Sequence, residues 1–81
     1  MRYVVFSRES CPYCHSAIEL LEERDEQVKI VSFDDDQLEI LQEVKSAYEW
    51  GTVPMIFEVN DNAQIKFIGG YTDLVSHFEE D

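Results

Sequence analysis

The sequence predicts an α/β domain with the element order β-α-β-α-β-β-α, a four-stranded mixed sheet with three helices. Short runs of β-branched and aromatic residues alternate with segments whose apolar residues recur at helical spacing. With 81 residues the chain has room for a single domain, residues 1–81, which buries roughly 60 to 65 % of its unfolded surface. Hydrophobic residues make up 44 % of the chain, which is enough for one core.

The first strand leads directly into the first helix. Residues 2–6 are a β-branched and aromatic run, which predicts a buried strand. Ser10 is a suitable N-cap and Pro12 suits a first helical turn. Three apolar residues then share one helix face: Ala17, Ile18 and Leu21. This boundary places Cys11 at a helix N-terminus.

The second strand and helix follow the same scheme. Residues 28–33 are rich in Val and Ile and predict a strand, and the three Asp of residues 34–36 supply caps for a helix. The predicted helical stripe is Leu38, Leu41, Val44 or Lys45, and Tyr48. The helix is expected to end at Trp50-Gly51. A strand, helix and strand in this order predict parallel strands with a right-handed crossover.

The rest of the chain predicts a hairpin and a last helix. Residues 55–59 and 64–68 flank a turn-rich stretch, which indicates antiparallel strands. Thr72 is expected to cap the helix, and residues 79–81 to fray into solvent. The apolar face of this helix is Tyr71, Leu74, Val75 and Phe78.

The charge balance limits the possible partners. Six Lys plus Arg stand against eighteen Asp plus Glu, a net charge of −12. Such a field repels phosphate backbones and anionic lipid surfaces, so we expect neither nucleic acid nor membrane as a partner. The acidity fits solubility, or steering towards a basic protein partner.

The chain start and the two cysteines indicate a reducing compartment. Only four apolar residues, 3–6, precede polar sequence, whereas a secretory signal needs an apolar core of roughly 7 to 15 residues. We therefore expect a cytoplasmic protein. There a Cys pair is seldom a structural staple, and closing a loop of about four residues stabilises by only about 2 kcal/mol. Reactivity explains the pair better.

The stretch SCPYCH, residues 10–15, matches more than one chemical signature. Cys11-Pro12-Tyr13-Cys14 is a redox dithiol pattern, and with His15 it also reads C-x-x-C-H, the form used for haem attachment. Haem attachment would need an oxidising compartment and a second axial ligand, for which the candidates are Met1, Met55 and His77. The strand directly before the motif and the missing export signal weigh against haem.

Metal binding is the third possibility for these side chains. Cys11, Cys14, His15 and His77 make four candidate ligands. Structural zinc sites usually use two separated ligand pairs, and the second pair is missing. The three adjacent Asp side chains of residues 34–36 diverge, which disfavours a cation site there. We expect no metal site and two solvent-exposed histidines.

Dithiol redox chemistry fits the context best. A free thiol with a pKa of about 8.5 is only about 3 % thiolate at pH 7, and the thiolate is the nucleophile. The helix N-terminus favours the anion on Cys11, and Arg8 adds positive charge nearby. Cys14 lies one turn inside the helix, where it is shielded. We expect Cys11 to be the exposed nucleophile, and Cys14 to be the resolving cysteine that attacks a sulfur bonded to Cys11.

Three separated motifs resemble the glutaredoxins, in their dithiol class within the thioredoxin-fold proteins. They are Cys11-Pro12-Tyr13-Cys14 after the first strand, Thr52-Val53-Pro54 before the hairpin, and Gly69-Gly70-Tyr71-Thr72-Asp73 at the last helix. Together they span nearly the whole chain. The resemblance implies a thioredoxin fold.

The resemblance also implies a glutathione site, by matching positions of this sequence. The peptide bond between Val53 and Pro54 would be cis, and the backbone of Val53 would pair with the cysteine part of glutathione. Thr52 and Tyr13 would line the groove. Gly70 would let the backbone approach the ligand closely. The N–H groups around Thr72 would hold the γ-glutamyl carboxylate, and Asp73 would bind the γ-glutamyl amine. For the glycine carboxylate the candidates are Arg8 and Lys45.

The implied activity is glutathione-dependent thiol–disulfide oxidoreduction, an electron-transfer function in cell redox homeostasis. Glutathione would be a co-substrate, with no tightly bound cofactor. The substrates would be glutathione mixed disulfides and disulfide proteins, ribonucleotide reductase among the candidates, and we expect a monomer. Two alternatives stay open: a dithiol reductant served by thioredoxin reductase, and a non-catalytic metal or iron–sulfur binding domain.

Overall fold

The computed structural model describes residues 2–79 and has the predicted order of strands and helices. The elements are β1 (Arg2–Ser7), α1 (Pro12–Glu23), β2 (Gln27–Ser32), a 3₁₀ turn (Asp35–Gln37), α2 (Leu38–Ala47), β3 (Met55–Val59), β4 (Ile65–Gly69) and α3 (Tyr71–Glu79). Met1, Glu80 and Asp81 lie outside the described residues, and so do the predicted fraying at residues 80–81 and the candidate haem ligand at Met1. None of the helices between residues 2 and 79 is long and apolar enough to cross a bilayer.

The four strands form one mixed sheet in the order β2-β1-β3-β4. β1 and β2 are parallel, with Arg2 opposite Gln27. β1 pairs antiparallel with β3, and β3 with β4. The parallel first unit and the antiparallel hairpin are as predicted. Because β1 is central, the loop that leaves its end and contains Cys11 lies at the middle of one sheet edge.

The core lies between the sheet and two helices, α1 and α3. Its fully buried members are Tyr3, Val5, Ala17, Leu21, Ile56 and Leu74. The two β1 residues alternate along the strand, as a one-faced apolar pattern requires. The same face of the sheet thus supports the N-termini of α1 and α3, both of which reach the Cys11 edge.

The other face of the sheet is covered by an aromatic cluster next to α2. Neighbouring rings have centroids 5.1 to 5.3 Å apart. The cluster consists of Phe6, Phe33, Tyr48, Trp50, Phe57 and Phe67. Tyr48 is the C-cap residue of α2, and Trp50 lies two residues further on, in the loop. The cluster therefore holds the segment that leads into Thr52-Val53-Pro54.

Two helix starts differ from the prediction, that of α1 by one residue and that of α3 by two. The N-cap of α1 is Cys11 and not Ser10, because the Cys11 sulfur accepts a hydrogen bond from the Cys14 N–H. Thr72 lies inside α3, which begins at Tyr71. The strands β2 and β4 are each shifted by one residue from the predicted ranges. The predicted Asp cap at residues 34–36 is present, since the Asp34 side chain accepts from the Asp36 N–H at 3.1 Å.

His77 is not solvent-exposed as predicted. Its Nε2 lies 3.0 Å from Glu58 Oε2 and 3.4 Å from the Tyr3 hydroxyl, which donates to the same carboxylate at 3.1 Å. The His77 and Glu58 side chains are 21 % and 14 % exposed. A single helical face could not reveal this, because the partners come from β1 and β3. His15, by contrast, is exposed as predicted.

Candidate active site

Cys11 and Cys14 form a disulfide at the start of α1. Cys11 is 8 % exposed and Cys14 is 2 % exposed. In this oxidised form both sulfurs are largely buried, so Cys11 is less exposed than the sequence predicts, although it is the outer of the two. The two α-carbons are 5.2 Å apart, a separation at which the dithiol and the disulfide can interconvert without moving the backbone.

The helix N-terminus directs one backbone donor at the Cys11 sulfur. The Cys14 N–H lies 3.2 Å from Cys11 Sγ, and Pro12 occupies the first helical position, where no N–H is needed. In the reduced protein the same N–H faces the Cys11 thiolate, and such a charge-assisted bond favours the anion. The local fold thus supplies the donor that a nucleophilic cysteine needs.

The loop before β3 lies beside Cys11. The carbonyl oxygen of Val53 is 3.8 Å from Cys11 Sγ, and the Val53–Pro54 peptide bond is cis, as the family resemblance implies. Pro54 is buried, whereas Thr52 is exposed. Apart from that sulfur contact, no hydrogen bond within residues 2–79 uses the N–H or carbonyl of Val53. Neither group is held in a backbone hydrogen bond, so both can pair with an extended ligand.

The start of α3 forms the opposite side of the site. The Gly70 N–H donates to Asp73 Oδ2 at 2.9 Å, so Asp73 closes the first turn of the helix. Gly69 has φ +125°, and a Cβ placed there would lie 2.5 Å from Asp73 Oδ2. A Cβ at Gly70 would meet nothing closer than 3.6 Å. Gly69, which was not among the predicted site residues, is therefore the glycine that this turn requires.

Between these segments is a cleft of about 350 Å³. It is lined by Tyr13, Trp50, Thr52, Val53, Pro54, Gly70, Tyr71, Thr72 and Asp73. Seven of the nine residues predicted to bind glutathione are among them: Tyr13, Thr52, Val53, Pro54, Gly70, Thr72 and Asp73. Three distant stretches of sequence thus meet in one groove beside Cys11.

Two aromatic residues of the cleft, Trp50 and Tyr71, were not predicted to belong to it. Each was within reach of sequence reasoning, since Trp50 stands two residues before Thr52 and Tyr71 lies between Gly70 and Thr72. The Tyr71 ring packs near that of Tyr13, with centroids 6.1 Å apart. Their aromatic character at a predicted loop and helix start was the available signal.

The two predicted cations do not line the cleft. Arg8 Nη2 bonds Asp35 Oδ1 at 2.9 Å, because the Ser7 carbonyl accepts from the Phe33 N–H and brings the two loops together. This ion pair is neutral as a whole, so the extra positive charge predicted beside Cys11 is offset. Lys45 lies half-buried on α2, away from the groove. Asp73 is the one charged residue in the lining.

The possible metal ligands do not come together. Across residues 2–79, no three His, Cys, Asp or Glu side chains are placed to hold a metal ion. His77 lies near the start of β1, beside Tyr3, whereas Cys11 follows the end of that strand. The residues that could have formed a zinc site are thus divided between opposite ends of the sheet.

Comparison with known proteins agrees with this geometry. A family model described as Glutaredoxin matches residues 3–63. The dithiolic glutaredoxin 2-C-Grx1 of Trypanosoma brucei brucei is 36 % identical with a TM-score of 0.78, over 96 % of this chain and 77 % of that one. A wheat glutaredoxin is 26 % identical with a TM-score of 0.82, over 96 % and 69 %.

A more distant structure has the same fold. NrdH-redoxin from Escherichia coli, a glutaredoxin-like protein with a thioredoxin-like activity profile, is 19 % identical with a TM-score of 0.65. The match covers 95 % of this chain and 93 % of that one. A search of curated protein sequences gave no match.

The fold, the dithiol at a helix N-terminus and the cis-proline loop therefore agree with the family model. The sheet and its three helices are those of the thioredoxin fold. The chain belongs to the glutaredoxin family, and its Cys11–Cys14 pair makes it a thiol–disulfide oxidoreductase that acts on disulfide-containing proteins.

Proposed function

We propose that the protein uses glutathione as its electron donor to reduce protein disulfides and glutathione mixed disulfides. One observation supports this most strongly: the groove beside Cys11 brings together seven residues that the family resemblance assigns to glutathione. They come from three separate parts of the chain. Glutathione acts as a co-substrate, and no tightly bound cofactor is needed for the cycle.

The cycle begins with the reduced dithiol. The Cys11 thiolate attacks one sulfur of a substrate disulfide, and the departing thiolate takes a proton. Cys14 then attacks the Cys11 sulfur, which releases the reduced product and leaves the Cys11–Cys14 disulfide found here. One glutathione opens this disulfide to a mixed disulfide on Cys11, and a second removes the first as oxidised glutathione. A glutathionylated substrate needs Cys11 alone.

The groove offers contacts for most of the tripeptide. The free N–H and carbonyl of Val53 pair with its cysteine residue, in the manner of an added strand. The N–H groups at the start of α3, around Thr72, face its γ-glutamyl carboxylate, as helix N-termini do for anions. Asp73 Oδ2 accepts a hydrogen bond from the Gly70 N–H, and the other carboxylate oxygen accepts one from the γ-glutamyl amine.

A second donor, thioredoxin reductase, is favoured by one specific observation. Neither Arg8 nor Lys45 lines the groove, so the lining itself offers no cation to the glycine carboxylate of glutathione. A donor that docks as a protein does not need that contact. The fold shared with NrdH-redoxin is compatible with either donor.

Two coupled assays decide between the donors. NADPH consumption is followed with a small disulfide substrate, once with glutathione and glutathione reductase and once with thioredoxin reductase. Glutathione dependence predicts turnover in the first mixture at a rate that exceeds the second by at least about tenfold. Turnover in the second mixture alone would mean that thioredoxin reductase, and not glutathione, is the electron donor.

The cellular setting follows from the same proposal. The protein acts as a monomer in the cytoplasm, where glutathione keeps thiols reduced. Ribonucleotide reductase is a candidate protein substrate because the family resemblance implies it.

A further inference from the structure

The cleft beside Cys11 has the chemical lining of a site for a positively charged side chain. Asp73 is the one charged residue among the nine that line it. Three of the others are aromatic: Tyr13, Trp50 and Tyr71. A carboxylate beside aromatic rings binds ammonium or guanidinium groups, through ion pairing and through the negative faces of the rings. The lining of the cleft has no cation to pair with the glycine carboxylate of glutathione.

Trp50 presents uncharged surface to this cleft. Its indole Nε1 is buried and has no hydrogen-bond partner within residues 2–79, so the side-chain surface left to a ligand is carbon. Its edge-on contact with Phe67, at a centroid distance of 5.3 Å, holds the ring in place. Trp is also the aromatic side chain with the strongest attraction for cations.

We propose that this cleft selects protein disulfides that have a basic residue next to the reactive cysteine, and that Asp73 and Trp50 set the preference. The proposal rests on the thiol–disulfide activity of Cys11 and Cys14. It does not depend on which reductant restores the dithiol.

The geometry accommodates such a segment. An extended polypeptide that pairs with the free backbone groups of Val53 brings its cysteine to Cys11, whose sulfur is 3.8 Å from the Val53 carbonyl. The segment on either side of that cysteine then lies along the groove between Thr52 and Asp73. A long Lys or Arg side chain spans a groove of this size with its apolar stem against the aromatic rings.

The charge of the rest of the molecule acts in the same direction. The chain has a net charge of −12; Glu9 lies in the Cys11 loop, and Asp35, from the segment after β2, contacts that loop at Arg8. Arg8 is neutralised there by Asp35. Acidic surroundings raise the encounter rate with a basic partner by about 10- to 1000-fold at low salt. The same field slows the approach of anionic disulfides.

The chemical step is unchanged by the selection. The substrate disulfide takes up two electrons and two protons and becomes two thiols. The protein supplies them from its two thiols and ends with the Cys11–Cys14 bond. Basic flanking residues change how often the substrate sulfur meets Cys11.

The test compares three blocked peptides, identical except for Lys, Gln or Glu beside a single cysteine. Each cysteine is in a mixed disulfide with 2-mercaptoethanol, which carries no charge. Pre-reduced protein reacts with each peptide under single-turnover conditions without glutathione, and the released peptide thiol is measured. We expect the rate constants to fall in the order Lys, Gln, Glu, with at least about a tenfold span at low salt. The span should shrink in 1 M salt, where the Debye length is about 3 Å.

Charge variants assign the preference to the cleft. Asp73→Asn keeps an oxygen that can accept from the Gly70 N–H and removes only the charge, so it should narrow the Lys-to-Glu ratio by about three- to fivefold. Trp50→Lys should narrow it further by repelling the Lys peptide. The matched control is Asp61→Asn, an exposed acid in the hairpin turn, which should leave the ratio unchanged.

The outcomes separate the two proposals. Equal rates for the three peptides, or a ratio that Asp61→Asn lowers as much as Asp73→Asn, would overturn the selection by the cleft. Failure of the pre-reduced protein to react with any peptide would count against the dithiol activity instead. Should Trp50→Lys not fold, Asp73→Asn and its control still decide.

Discussion

The two ends of the sheet use their polar groups in opposite ways. At the Cys11 end, the backbone groups of Val53 make no backbone hydrogen bond within residues 2–79, and the buried Nε1 of Trp50 has no hydrogen-bond partner there. At the other end, Tyr3, Glu58 and His77 bond to one another within 3.0 to 3.4 Å. Unpaired groups beside a reactive sulfur are available to a ligand, whereas mutually paired groups hold elements together. The first end is built for binding and the second for stability.

The helix α3 connects these two ends. Its first turn supplies Tyr71 to Asp73 to the cleft, and its last turn places His77 against the sheet. A substitution in this helix therefore affects ligand binding if it lies in the first turn, and the free energy of unfolding if it lies in the last turn. Substitutions at both ends test this division.

The largest effect on stability is expected at the cleft end, from Gly69→Ala. The backbone at Gly69 has φ +125°, and the added Cβ would lie 2.5 Å from Asp73 Oδ2. Strain of this kind costs about 1 to 3 kcal/mol, and the displaced Asp73 would also lose its bond to Gly70. Urea denaturation measures the loss in the free energy of unfolding.

Gly51→Ala is the matched control for that substitution. An added methyl group at Gly51 would have no atom within 4 Å, and the backbone there has no positive φ. The free energy of unfolding should therefore change by less than about 0.5 kcal/mol. If Gly69→Ala lowered the free energy of unfolding no more than Gly51→Ala does, the turn at Gly69 would not need glycine.

A smaller effect is expected at the opposite end, from His77→Ala. The substitution removes the contact with Glu58 and the edge-to-face packing against Tyr3 and Phe78. We expect a loss of about 1 to 2 kcal/mol in the free energy of unfolding, with the rate of disulfide reduction unchanged. The exposed His15 gives the control, since His15→Ala should stay within about 0.5 kcal/mol of the parent protein. A fall in activity in His77→Ala without a loss of stability would link the two ends functionally.

Local sequence was enough to predict most of the fold, and the resemblance to the glutaredoxins was enough to predict most of the cleft. The strands and helices follow from periodicities that need only a few neighbouring residues, and β3 was predicted to the residue. The cleft residues lie in three short motifs whose order along the chain identified them. Seven of nine predicted contacts therefore meet in one groove.

The contacts that the sequence did not reveal are made by the folded chain. The role of Arg8 in ligand binding stays a prediction, and its position next to Asp35 depends on how the loops after β1 and β2 meet. His77 was predicted to be exposed, but Tyr3 and Glu58 come from other elements. Gly69 was part of the motif before the last helix but was not assigned to the site, because its need for glycine arises from its positive φ and from the Asp73 side chain four residues later. The contacts of Arg8 and His77 have no signature in the neighbouring sequence.

The role of Cys11 is tested most directly with Cys14→Ser protein, exposed to oxidised glutathione and examined by intact mass. Without its resolving thiol, Cys11 should retain one glutathione as a mixed disulfide, and the variant should still deglutathionylate small substrates. Cys11→Ser with Cys14 intact should gain no adduct, because the remaining sulfur is 2 % exposed. No adduct on Cys14→Ser, or an adduct of equal yield on Cys11→Ser, would contradict the assignment of Cys11 as the nucleophile that glutathione serves.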